Sequence, residues 1–103
     1  MHLASQLRGA VVHCANLELL NFTYCLSMVE LSLECPQLRT LMCSGCQKLP
    51  DAVALAVLEC TPALRTFELK GCPLVSAPTL ELAAAHCTRA AQGVPRKRSR
   101  ESE

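Results

Sequence analysis

One frame occurs three times in this chain, and it constrains the fold more than any other feature. It reads Leu17-x-x-Leu20-x-Phe22-x-x-Cys25, then Leu38-x-x-Leu41-x-Cys43-x-x-Cys46, then Leu64-x-x-Phe67-x-Leu69-x-x-Cys72. The copies start 21 and 26 residues apart. Periods of this length mark arrays in which each unit buries its apolar face against a neighbour and cannot bury it alone. The alternating apolar positions inside each copy predict a short strand with one face inward. Those strands are expected over 18–23, 39–44 and 65–70.

The connections between the copies differ from one another. In Met1–Val12 the residues Leu3, Leu7, Ala10 and Val11 fall at helical spacing, which predicts the helical half of a repeat. Between Leu26 and Glu34, Val29, Leu31 and Leu33 alternate with period two, so an extended or irregular segment is expected. The longer stretch Gln47–Thr61 opens with Leu49-Pro50-Asp51, a turn with Asp51 as helix cap. A helix over about 52–60 follows, with Val53, Val57 and Leu58 inward and Leu55 near the edge of that face. A second helix is expected over 79–86, with Pro78 in its first turn and Leu80, Ala83 and Ala84 inward. Cys87-Thr88-Arg89-Ala90 then stands where a further repeat would begin. Residues 92–103 are small, polar and charged, the composition of a disordered tail.

Composition narrows the function classes. A chain of 103 residues holds one small domain, and with only 3% aromatics its core must come from Leu, Val, Ala and Cys. The net charge of +1 gives no general attraction to nucleic acid or membrane. No apolar run approaches the ~18–20 residues that span a bilayer, and the N-terminus lacks the apolar stretch of a secretory signal. An intracellular protein, cytoplasmic or nuclear, is the expectation.

Eight cysteines in so short a chain suggest disulfides in a secreted protein. Here Cys14, Cys35 and Cys87 recur before strand positions, and Cys25, Cys46 and Cys72 recur after them. The same address in each repeat points to reduced, buried thiols. Cys43-Ser44-Gly45-Cys46 has metal-knuckle spacing, but a second such pair is missing and a structural zinc site needs four ligands. Redox chemistry is disfavoured because a turn, not a helix start, follows the pair, with no basic neighbour before Lys48. His2, His13 and His86 have no carboxylate or serine at a catalytic spacing, and His86 reads as a residue at a helix C-terminus. No enzyme, metal or cofactor is expected.

The basic cluster Arg96, Lys97, Arg98 and Arg100 has two readings, a solvated tail or a nuclear-targeting signal, with Ser99 as a target for a basophilic kinase. Nucleic-acid binding is not expected, because stacking aromatics and a basic folded face are lacking.

The stretches Cys14–Cys25, Cys35–Cys46 and Pro62–Cys72 together resemble the cysteine-containing leucine-rich repeats of F-box/LRR proteins. The resemblance covers about residues 3–90. The sequence departs from it at Thr61, where a cysteine belongs, and at Cys43, where an inward leucine belongs; no F-box segment is found. The resemblance implies an α/β fold, a leucine-rich-repeat solenoid fragment of about three repeats over 1–91, followed by the tail 92–103. Short parallel strands would line its concave face, and helices or irregular segments its convex face. Side chains between the inward residues would then face a partner: Leu19, Asn21, Thr23, Thr40, Met42, Ser44, Thr66, Glu68 and Lys70. Substrate recognition in an SCF-type ubiquitin ligase follows as the implied function, with a protein target on the concave face. A Skp1-type adaptor would be a partner only where an F-box exists elsewhere in the gene. The alternative is a stand-alone LRR scaffold or interaction protein. Three strands with uncapped ends further suggest a piece of a longer horseshoe, and open strand edges invite self-association.

Overall fold

In the computed structural model, which describes residues 6–92, the three copies of the frame lie side by side. The elements in chain order are β1 (Gly9–His13), β2 (Leu19–Asn21), β3 (Glu30–Glu34), β4 (Thr40–Met42), α1 (Asp51–Cys60), β5 (Thr66–Glu68) and α2 (Ala77–Ala91). Strands β2, β4 and β5 form one parallel sheet, with Leu20 opposite Leu41 and Leu41 opposite Phe67. These are equivalent positions of the frame, so the sequence spacing sets the strand register directly. We call this the front sheet.

The connections between front strands form a second layer. Strands β1 and β3 pair in parallel from Gly9↔Glu30 to His13↔Glu34. Helix α1 packs on β3, and α2 packs on α1 and reaches β5. The chain thus alternates front and back, giving an α/β domain with parallel strands, two helices and two open sheets. No helix among the described residues is long and apolar enough to cross a membrane.

Between the layers lies the core. Leu38, Leu41, Cys43, Cys46, Leu49 and Leu64 have no solvent exposure. Burying a leucine of this kind contributes about 1.5–3 kcal/mol. Leu17, Leu20 and Phe22, the frame residues of the first copy, are only half-buried because no strand lies beyond β2 among the described residues.

Each front strand ends in the same turn. Cys25 N–H donates to Phe22 O and Met28 N–H to Cys25 O; Cys46 to Cys43, Leu49 to Cys46, Cys72 to Leu69 and Val75 to Cys72 repeat the pattern. The residue before each turn cysteine is left-handed: Tyr24 at φ 61°, Gly45 at 77° and Gly71 at 76°. Glycine meets that conformation without strain, whereas tyrosine pays about 1–2 kcal/mol for it.

Several expectations are corrected. Residues 9–13 form strand β1, not part of a helix, because Val11 and Val12 pair with β3 in extended form. The segment Leu26–Glu34 is non-helical as expected, a turn at 26–27 followed by strand β3 itself. Helix α2 runs on to Ala91, so Cys87–Ala90 are helical and begin no further repeat. Its buried residues are Thr79, Ala83 and His86, whereas Leu80 and Ala84 face outward. His86 therefore lies inside the helix, and its Nε2–H donates to the carbonyl of Thr61 at 2.8 Å. On α1 the buried residues are Ala54, Val57 and Leu58, with Val53 half-buried. Asp51 is the first helical residue and Pro50 occupies the cap. The carboxylate instead reaches across to α2, accepting the N–H of its cap residue Ser76 at 2.7 Å.

Candidate interaction surface

Because side chains alternate along a strand, the residues between the inward frame positions point away from the core on the front sheet. Register aligns them in rows: Leu19, Thr40 and Thr66 in one, and Asn21, Met42 and Glu68 in the next. Leu19 is 56% exposed, while Thr40 and Met42 at the centre are half-buried. Asn21, Thr66, Glu68 and Lys70 are exposed. All nine residues singled out from the sequence thus fall on one face or its turn-side margin, with apolar area toward β2 and charge on the β5 side.

At the turn end of β2 the polar residues are held in place. Asn21 Oδ1 accepts both the backbone N–H of Thr23, at 2.9 Å, and its hydroxyl, at 2.6 Å. Ser44, in the next turn, has a buried hydroxyl oxygen with no hydrogen-bond partner.

Tyr24 belongs to this surface and was not singled out from the sequence. Its side chain is largely exposed, and the Cδ1–Cε1 edge of its ring lies against Gly45, where a Cβ would overlap Cδ1 and come within 2.7 Å of Cε1. A signal for it exists: the frame places Tyr24 where the other copies carry Gly45 and Gly71. Tyr24 thus sets an aromatic side chain, on a left-handed backbone, at the rim of the front face.

The cysteines hold neighbouring turns together. Cys46 Sγ–H donates to Phe22 O at 3.2 Å and Cys72 Sγ–H to Cys43 O at 3.0 Å, each to the preceding copy. In the back layer Cys35 Sγ approaches Val12 O at 3.6 Å. All eight thiols are free, and only Cys14 and Cys60 are exposed outright. The Cys43 thiol also hydrogen-bonds to Cys46. That bond, reinforced by burial, holds Cys43 protonated far above the ordinary thiol range. The same bond lowers Cys46 to about 7, against the opposing effect of burial. Burial raises Cys25, Cys72 and Cys87. Among the described residues no group of three or more His, Cys, Asp or Glu side chains is placed to hold a metal ion.

Of the histidines, His13 lies 3.4 Å from Glu34 across β1 and β3, in an exposed pair. Solvent screening leaves such pairs little energetic weight. His86 is buried against Thr61, and His2 lies outside the described residues. Two hollows open elsewhere. One, of about 470 Å³, lies between α1 and α2 and is lined by Leu55, Leu58, Leu82 and His86 with Glu59 and Arg89 at its rim. The other, of about 460 Å³, lies beside β5 between Leu69, Gly71 and Leu80. The basic cluster Arg96, Lys97, Arg98 and Arg100 lies outside the described residues.

No family model, curated protein or solved structure matches this chain. Its own surface chemistry carries the functional argument.

Proposed function

We propose that this chain is a non-catalytic protein–protein interaction module, a leucine-rich-repeat solenoid fragment whose front sheet binds a protein target. The observation that carries this reading is the stacking of outward side chains across three parallel strands, which gathers Leu19 and Met42 on neighbouring strands. A half-exposed apolar pair with Glu68 and Lys70 beside it has the pattern of an interface core with a polar rim. Tyr24 adds an aromatic anchor of the type enriched among residues that dominate binding energy.

Within this reading the resemblance to F-box/LRR proteins supports one specific role, substrate recognition in an SCF-type ubiquitin ligase. The front sheet would hold the substrate, and an F-box encoded elsewhere in the gene would hold the adaptor. The alternative role is a scaffold with no ligase link. Co-purification of the adaptor with the full gene product distinguishes the two.

The experiment for the surface itself is proximity labelling in cells with the wild-type chain and with Leu19→Asp/Met42→Asp. Labelling of the specific partner should fall about tenfold or more, as loss of a central apolar pair implies, while the circular dichroism spectrum stays native. Unchanged labelling by a folded variant would place the binding face elsewhere.

A further inference from the structure

The hydrogen bonds of the front sheet repeat from one copy to the next. Toward the following copy, Phe22 N–H donates to Met42 O and Cys43 N–H to Glu68 O. Toward the preceding copy, Thr40 N–H donates to Glu18 O and Thr66 N–H to Arg39 O. The same pattern directs the N–H groups of Leu69 and Gly71 and the carbonyl of Arg65 away from β4, on the outer side of β5. On the outer side of β2 it directs the carbonyls of Asn21 and Thr23 and the N–H of Leu19. Among the described residues none of these groups has a backbone partner. Apart from Phe67, whose outward backbone N–H in mid-β5 lies against the Cys87 thiol of α2, the two edges present complementary donors and acceptors at matching intervals.

Three side-chain observations make the match specific. Cys46 and Cys72 each donate a thiol hydrogen to the carbonyl one copy back, on Phe22 and Cys43. Cys25 occupies the same address in the first copy and is 2% exposed, yet no acceptor stands before it. The corresponding carbonyl at the far end, on Leu69, receives only the N–H of its own turn, from Cys72. Glu18 and Arg65 also share an address, so an end-to-end join sets opposite charges side by side. Finally, half-buried Leu17, Leu20 and Phe22 face one end, while half-buried Phe67 and the hollow lined by Leu69 and Leu80 lie at the other.

We propose that the β5 edge of one copy of this chain receives the β2 edge of a second copy as its next parallel strand, in the register of the frame. Leu69 N–H then donates to Asn21 O of the second copy, Gly71 N–H to Thr23 O, and Cys25 Sγ–H of the second copy to Leu69 O. The contact is head-to-tail, so each addition leaves the same two edges and growth does not close at a dimer.

The test is sedimentation velocity on the full 103-residue chain, kept reduced so that exposed Cys14 and Cys60 form no disulfides. The mass should rise with concentration through dimer and trimer. Leu19→Pro removes an edge N–H and sets a ring against the incoming strand, and should hold the chain monomeric. Glu18→Arg or Arg65→Glu alone should weaken association by roughly fivefold, as for an exposed ion pair. Mixing the two single variants, or combining both changes in one chain, should restore it. The charge variants decide the question where Leu19→Pro fails to fold. A monomer at every concentration, a dimer that adds no third copy, or association indifferent to the charge exchange would overturn the proposal.

Discussion

Behind the front sheet the two halves of the molecule are built differently. The N-terminal half is backed by strands β1 and β3, the C-terminal half by helices α1 and α2, while the front strands barely register the change. The reason is length. Strand β3 has five residues, and at ~3.3 Å each it spans roughly 16 Å. Helix α1 has ten residues, and at ~1.5 Å each it spans about 15 Å. Either element therefore covers the distance between two turns. The five extra residues of the helix are the difference between the 21- and 26-residue spacings of the frame. The halves differ instead in burial: Leu17 and Leu20 at the strand-backed end remain half-exposed, whereas Leu38, Leu41 and Leu64 are sealed.

The sharpest way to break this comparison is a charge at equivalent inward positions. Leu41→Asp places an unpaired carboxylate at a site with no exposure, which exceeds the stability of a small domain and should unfold the chain. Leu20→Asp, one copy earlier and half-exposed, should fray the first copy and leave the helix-backed half protected in hydrogen exchange. Equal global unfolding by both would mean that burial does not divide the halves. Met42→Asp, adjacent in sequence but outward, should retain a cooperative melt.

Truncation makes the same comparison more gently. Leu64→Ala should cost about 2–5 kcal/mol in denaturant unfolding, and Leu17→Ala at the same frame address about half as much. At the turns, Gly45→Ala should cost about 1–3 kcal/mol, from its left-handed backbone and from contact with the Tyr24 ring. In a Tyr24→Gly background the contact term disappears and only the backbone term remains, so a double-mutant cycle reports the coupling between copies.

The smallest effect concerns a link found in the helix-backed half. The Ser76 N–H and hydroxyl hold the Asp51 carboxyl below its ordinary value of 3.8. A lowered folded-state value means that the carboxylate stabilises the fold above that pH and ceases to do so as pH falls through the lower value. Wild type should therefore lose slightly more stability than Asp51→Asn on acidification below about pH 4. Amides at the start of α2 are where exchange should show it.

The sequence made the front sheet legible because one spacing served three times, fixing strands, turns and register together. The back layer was less legible because its elements are chosen by length and packing. Leu7, Ala10 and Val11 match a helix as well as they match anything local, and only pairing with β3 makes residues 9–13 extended. On α2, apolarity favoured Leu80 as the inward residue. Close packing against α1 and β5 instead turns Ala83 and His86 inward, and the buried Thr61 carbonyl supplies the histidine's partner. The outward front residues could be named from the frame, but Tyr24 could not be valued without seeing its ring on Gly45.

The shared address of Thr40 and Thr66 on adjacent strands makes the intervening 26 residues a length standard. A gene in which Leu38–Ala63 is duplicated in frame would re-enter the sheet at the point where it left. The duplicated stretch would bring its own left-handed glycine, its own thiol tether and its own helix. Such a chain could grow in evolution, or on the bench, by whole cassettes, and each cassette would widen the front sheet by one strand, about 4.8 Å.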